Sequence, residues 1–119
     1  MENEKKLVVY VAGPYRSDKG ITGIFDNIMK AREITRKLFM WGYIPICPHL
    51  NTMLMDGTDV PDQFWLDADM LILERCDGIV MLPRFTESSG AMEELKYARE
   101  LGLRVFYIDE EETCVYEVT

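Results

Sequence analysis

Leu7-Val8-Val9-Tyr10-Val11-Ala12-Gly13-Pro14 is an unbroken apolar, β-branched run closed by a turn pair. No polar residue alternates with the apolar ones, so both faces of the strand it predicts must be covered, as in a parallel sheet. Outward from it, a polar loop over residues 16–23 leads to Ile24, Ile28, Ala31, Ile34 and Leu38, a helical spacing that stops at Trp41-Gly42. Residues 43–47 predict a second strand closed by Pro48, and a loop of about a dozen residues follows, carrying the single histidine, His49. Residues 61–75 then predict a helix, 77–82 a strand, 89–101 a helix and 104–108 a strand. This β-α-β-α-β-α-β order predicts an α/β fold, a flavodoxin-like or Rossmann-like open parallel sheet of four to five strands with helices on both faces. Ligands bind such sheets beyond the carboxyl ends of the strands. Those ends carry Gly13, Tyr15, Arg16, His49 and the turn at Ser88. The tail is acidic and then reads Cys114-Val115-Tyr116-Glu117-Val118, an edge strand or a partner contact.

Length and charge narrow the classes of function. A chain of 119 residues with 48% apolar content fits one domain, residues 1–119, with its own core. Its 21 acidic against 13 basic residues give a net charge of -8, which opposes attraction to nucleic acid polymers or anionic membranes and suits a small-molecule partner. Cys47, Cys76 and Cys114 are odd in number and form no C-x-x-C pair, so neither a disulfide framework nor a metal site is indicated. The N-terminal segment runs into about six apolar residues, too few for a signal sequence or membrane span, and a cytoplasmic protein is expected. The Gly13-Pro14 turn lies in neither a G-x-x-x-x-G-K-S loop nor a G-x-G-x-x-G fingerprint, and no cofactor is expected.

Two carboxylates stand out. In Ser88-Ser89-Gly90-Ala91-Met92-Glu93-Glu94-Leu95 a turn enters a helix. At roughly 100° per residue, Ala91, Leu95, Ala98 and Leu101 define its apolar side, with Glu94 among them and Glu93 nearly opposite. Glu94 therefore sits at the core edge near a helix N-terminus, where partial positive charge favours an anion. The same position suits an ordinary first-turn glutamate. Asp69 has Trp65, Leu66, Ile72 and Leu73 as its helical neighbours, so its carboxyl is expected to face inward and to hold its proton to higher pH. An acid of that kind can donate a proton near neutrality, and Glu94 with Asp69 would make a nucleophile and general-acid pair for glycosyl transfer. Asp62 and Asp67 compete for the role on the same segment.

These residues resemble the nucleoside 2-deoxyribosyltransferase superfamily, which includes the 2'-deoxynucleoside 5'-phosphate N-hydrolases. The likeness runs through Tyr10-Val11-Ala12-Gly13-Pro14-Tyr15-Arg16 and the helix ending at Gly42. It is most specific in Cys76-Asp77-Gly78-Ile79-Val80-Met81-Leu82 followed by Ser88-x-Gly90-x-x-x-Glu94-x-x-x-Ala98. The resemblance implies Glu94 as the catalytic nucleophile, Asp69 as the acid that assists departure of the base, and Tyr10 as the residue that positions the glutamate. It implies a nucleoside or nucleotide substrate, and a homodimer or larger assembly whose subunits complete each other's sites.

Ser88 bears on the substrate. Six residues before the glutamate, nucleoside-using transferases of the superfamily carry an Asp for the sugar 5'-hydroxyl, and nucleotide hydrolases carry a Ser that accepts a 5'-phosphate. A hydroxyl and helix N-terminal N–H groups suit a phosphate, whereas an Asp would repel it. Gly13, Tyr15, Arg16, His49, Ser88 and Gly90 are thus the expected substrate contacts. Plain N-capping is the alternative for Ser88, a solvated loop for Arg16, and a structural role for His49.

Overall fold

The computed structural model describes residues 5–53, 55 and 59–118. Leu54, Asp56, Gly57 and Thr58 of the predicted loop lie outside the described residues, as do residues 1–4 and Thr119 of the predicted domain. Strands Val8–Ala12 (β1), Ile44–Ile46 (β2), Gly78–Met81 (β3), Arg104–Ile108 (β4) and Val115–Val118 (β5) form one sheet in the order β2-β1-β3-β4-β5. Helices Gly20–Met40 (α1), Pro48–Asn51 (α2), Asp62–Glu74 (α3) and Ser89–Glu100 (α4) connect them. The first four strands are parallel, so the α/β reading holds, and β1 lies inside the sheet between β2 and β3.

The apolar run that predicted a doubly covered strand is used on both faces. Val9 and Val11 pack with Ala31, Ile34 and Leu38 of α1, while Tyr10 and Ala12 pack with Leu73 of α3 and Ala91, Leu95 and Ala98 of α4. Strand side chains alternate between faces, so one β-branched sequence feeds two cores. Val8 N–H, at the start of the strand, donates to the Asp77 carboxylate at 2.9 Å, which fixes β1 against the entry to β3.

Four expectations shift. Helix α1 starts at Gly20, inside the expected 16–23 loop, because Gly23 is a packing glycine and not a breaker: a Cβ there would stand 2.0 Å from Ser17 Oγ. The loop after β2 opens with the single turn α2, where Pro48 occupies the first helical position with no N–H to leave unpaired, so His49 is helical. Strand β5 is antiparallel to β4, joined through a turn in which the Asp109 carboxylate accepts the N–H groups of Thr113 and Cys114 at 2.7 and 2.8 Å. Leu101 is exposed because α4 ends at Glu100 and the chain leaves the helical wheel there.

Length mismatch matters near the ligand end. At about 1.5 Å per residue the 21-residue α1 is roughly 31 Å long, against roughly 17 Å for a five-residue strand. The helix starts from the carboxyl end of β1, and in its first three turns Ile21, Phe25 and Met29 form an exposed stripe at i, i+4 and i+8. The three-residue β2, at the sheet edge, has Pro45 at its centre.

Gly78 shows how closely β3 and β4 approach. A Cβ there would lie 2.8 Å from the Arg104 carbonyl oxygen and 2.9 Å from the Phe106 ring. Gly78→Ala is expected to cost about 1–3 kcal/mol, read as a lowered melting temperature in thermal unfolding.

Candidate active site

Tyr10 is the fixed point of the site. Its side chain is wholly buried in β1, and its hydroxyl donates to Glu94 Oε2 at 2.5 Å. The wheel argument explains the meeting: Ala91, Leu95 and Ala98 turn α4 onto the sheet, and Glu94 comes down beside them over β1. Glu93, the adjacent glutamate, is exposed as expected. Burial raises the Glu94 carboxyl to about 7; the Tyr10 hydrogen bond opposes this rise and the Asp69 charge adds to it. Burial, and then the Glu94 carboxylate, keep the Tyr10 phenol protonated far above its ordinary range.

Among the three competing aspartates, only Asp69 belongs to this group. Asp67 is exposed and accepts from the Gln63 amide at 2.8 Å. Asp62 is exposed and faces Arg16 at 3.9 Å. Asp69 is half-buried, its carboxyl is raised by burial to about 6, and its charge acts on both Tyr10 and Glu94. Two acids with neighbouring values in mutual range titrate as a pair, so both values belong to the pair.

The start of α4 carries the other α4 residues of interest. Ser88 Oγ accepts the Ala91 N–H at 3.1 Å, so the capping role is real, and the hydroxyl proton remains available as a donor. Gly90 stands one turn before Glu94, and a Cβ there would meet only Ser88 Oγ, at 3.9 Å. No protein packing therefore requires a glycine at that position.

The remaining expected contacts gather on the loop after β1. A Cβ on Gly13 would collide with the Leu82 side chain at 2.6 Å, so glycine lets the loop cross the end of β3. His49 is buried, its ring meets the Tyr15 ring edge to face with centroids 5.3 Å apart, and Nε2 lies 2.7 Å from the Pro14 carbonyl oxygen. A carbonyl only accepts, so Nε2 carries hydrogen. Burial lowers the His49 pKa and outweighs the Pro14 and Gly13 carbonyls, which act to raise it. Arg16 is exposed, and its long ion pair with Asp62 contributes little. The sequence reading assigned no role to Asn27, whose Nδ2 donates to the carbonyls of Tyr15 at 3.0 Å and Arg16 at 3.4 Å. An asparagine inside a 21-residue helix, where it is a poor former, was the available signal.

Among the described residues, no three His, Cys, Asp or Glu side chains are placed to hold a metal ion, and no helix is long and apolar enough to cross a membrane. A depression of about 350 Å³ lies on α4 along Met92, Leu95 and Lys96, and another of about 470 Å³ lies between Phe85, Tyr107 and Tyr116. Glu94, Asp69 and Tyr10 line neither.

One family model matches residues 7–108, the stretch from β1 through β4. The chain belongs to that family, the domain of unknown function DUF7768. No curated protein matches this DUF7768 chain. Its fold is similar to the 2-deoxyribosyltransferase of the psychrotolerant bacterium Bacillus psychrosaccharolyticus, with a TM-score of 0.60 and 19% identity over 85% of this chain and 71% of that one. It is also similar to a conserved protein from Enterococcus faecalis V583, with a TM-score of 0.56 and 18% identity over 92% of this chain and 69% of the other. For the Leishmania mexicana 2-desoxiribosyltransferase the TM-score is 0.52 and the identity 20%, over 87% of the DUF7768 chain but only 65% of its counterpart. At these identities the likeness is one of fold.

The raised Glu94 value has a stability consequence. Between the unfolded value of about 4.3 and about 7 the folded state holds more protons than the unfolded one, so stability falls as pH rises through that window. Glu94→Gln removes the cost of burying the charge. Its melting temperature is expected to exceed that of the parent by on the order of 5 °C at pH 8 and to converge with it near pH 4, as scanning calorimetry at the two pH values would show.

Proposed function

We propose that this protein cleaves the N-glycosidic bond of a (2'-deoxy)nucleoside 5'-monophosphate. The observation that carries the reading is the Tyr10 hydroxyl bound to one oxygen of a half-buried glutamate beside a second, proton-retaining carboxyl. With Oε2 held by Tyr10, Oε1 of Glu94 is the attacking atom. It bonds to C1' of the sugar while the C1'–N bond breaks, and Asp69 gives its proton to the departing base. Water then attacks C1', returns a proton to Asp69 and frees Glu94. Ser88, the N-terminal N–H groups of α4 and Arg16 suit the 5'-phosphate. At Gly90 an added Cβ would meet only Ser88 Oγ among the described residues, which leaves room for sugar or phosphate beside that helix end.

The similarity in fold to two 2-deoxyribosyltransferases favours a second outcome at the same site. If a free base reaches C1' before water does, the ester is resolved by base exchange. The chemistry of Glu94 and Asp69 is the same in both cases, and exclusion of water divides them.

A second copy of the chain is proposed to cover the open end of the site. Ile21, Phe25 and Met29 on α1 and Phe64 and Leu66 on α3 are exposed apolar side chains on the helix turns that begin at the strand ends. Exposed apolar side chains of this size suit an association surface. Phe25→Glu with Phe64→Glu is expected to give a smaller species by sedimentation, still folded by circular dichroism, with base release reduced at least about tenfold. Unchanged size would remove the proposal.

Base release from ribo- and deoxyribonucleoside 5'-monophosphates, followed by chromatography with and without an acceptor base, tests the reaction. Glu94→Ala is expected to abolish release. Activity requires Glu94 ionised and Asp69 protonated, so kcat/KM is expected to rise and then fall with pH, peaking between about 6 and about 7. Because the nucleophile has the higher value, the competent arrangement is roughly one in ten of the singly protonated forms. Asp69→Asn is expected to lose roughly 10²–10⁴-fold in rate together with the alkaline decline. Nucleotide binding without release in any well would make the site a nucleotide-binding module.

A further inference from the structure

The loop between β1 and α1 has three successive backbone carbonyls, and each is held by a side chain from another element. Pro14 O accepts from His49 Nε2 of α2 at 2.7 Å. Tyr15 O accepts from Asn27 Nδ2 of α1 at 3.0 Å, and Arg16 O lies 3.4 Å from the same nitrogen. The Tyr15 ring is further braced edge to face on the His49 imidazole. At the other end of the segment, Gly13 is pressed against Leu82 at the end of β3.

Both clamping residues are unexpected where they stand. His49 is one of two buried polar side chains among the described residues, and Asn27, a poor helix former, stands in the second turn of α1 with its amide turned back to the loop that precedes the helix. A buried polar group is retained where it satisfies another polar group that would otherwise be orphaned. Here what is satisfied is the outer backbone of one loop. That loop starts three residues after Tyr10 on the same strand, so its conformation sets where the side chains of Tyr15 and Arg16 stand relative to Glu94.

We propose that His49 and Asn27 are positioning residues that hold the 13–16 loop in its ligand-ready conformation, and that His49 acts through the Pro14 carbonyl and not on the ligand. The proposal rests on the nucleotide reading for what the loop meets, but the clamp itself can be observed without a ligand. With its ring spanning the Pro14 carbonyl and the Tyr15 ring, His49 contributes affinity through Tyr15 and Arg16. It leaves the bond-breaking step to Glu94 and Asp69.

The experiment compares wild type with His49→Leu, His49→Gln and Asn27→Ala, reading base release kinetics together with amide hydrogen exchange at Tyr15, Arg16 and Ser17. His49→Leu is expected to raise KM about tenfold, the worth of one hydrogen bond, with kcat within about twofold. His49→Gln places an amide N–H within reach of the same carbonyl and is expected to recover most of that loss. Asn27→Ala is expected to follow His49→Leu, and both to speed loop exchange about tenfold or more while exchange in β1 and β3 stays as in wild type. A fall in kcat that His49→Gln does not restore would overturn the proposal by placing His49 on the reacting ligand. Wild-type loop exchange in His49→Leu would overturn it too. If the wild type releases no base, the cleavage reading falls, while the exchange data still decide whether the clamp exists.

Discussion

A carboxylate brought to the edge of an apolar layer has lost most of its water, and something must replace it. In this protein one phenolic hydroxyl, rooted in a strand covered on both faces, does so for Glu94. The constraint propagates in both directions. Tyr10 must stay on the α3/α4 face of β1, which fixes the register of the strand, because a slip of one residue would send the hydroxyl into the other core. Glu94 must stay on the sheet-facing side of α4, which fixes the rotation of that helix, and the Ser88 cap sets where the helix begins. Asp69 then needs only to lie at the same height on α3, with α3 tied to α4 through the bond from Tyr97 to Glu74.

The same arrangement accounts for the protonation of the site. Tyr10 supplies a hydrogen bond but no positive charge, and among the described residues no Lys or Arg pairs with Glu94 or Asp69. The two acids share a poorly solvated space, and both titrate closer to neutrality than an exposed carboxylate does. An arginine in place of Tyr10 would satisfy the glutamate equally well, yet it would lower both values and leave no proton for a departing group. A neutral donor is the side chain that restrains the glutamate's geometry without fixing its charge.

Much of this was legible in the residues, for reasons that differ by element. The uninterrupted run from Leu7 to Ala12 announced a strand covered twice, and 3.6-residue spacing separated Glu94 from Glu93 because that helix packs one face and exposes the other. The three aspartates of α3 resisted a choice, since that helix buries only Leu73 among the described residues and its apolar side chains point both inward and outward. Helical spacing carries no direction when both faces are apolar. Glycine at 23 looked like punctuation because its packing partner, Ser17, becomes a neighbour only once the loop has folded. His49 was placed in a loop because a single turn after a proline has too few residues to show a period. Its partner, the carbonyl of Pro14, is a backbone atom, which side-chain patterns cannot reveal.

The edges of the sheet limit how copies of this chain can meet. Strand β2 is three residues long and its central Pro45 has no N–H, so it offers a poor template for another strand. Strand β5, at the opposite edge, is four residues long and is stapled back to β4 by the paired contacts of Arg104 with Glu117 at 2.7 and 2.8 Å. Growth of the sheet from one molecule into the next is thus disfavoured on both sides. A chain with this much exposed apolar helix surface would otherwise risk open-ended stacking. With its β-edges blunted, any contact between two copies of this chain would have to run through its helices and not through its strands.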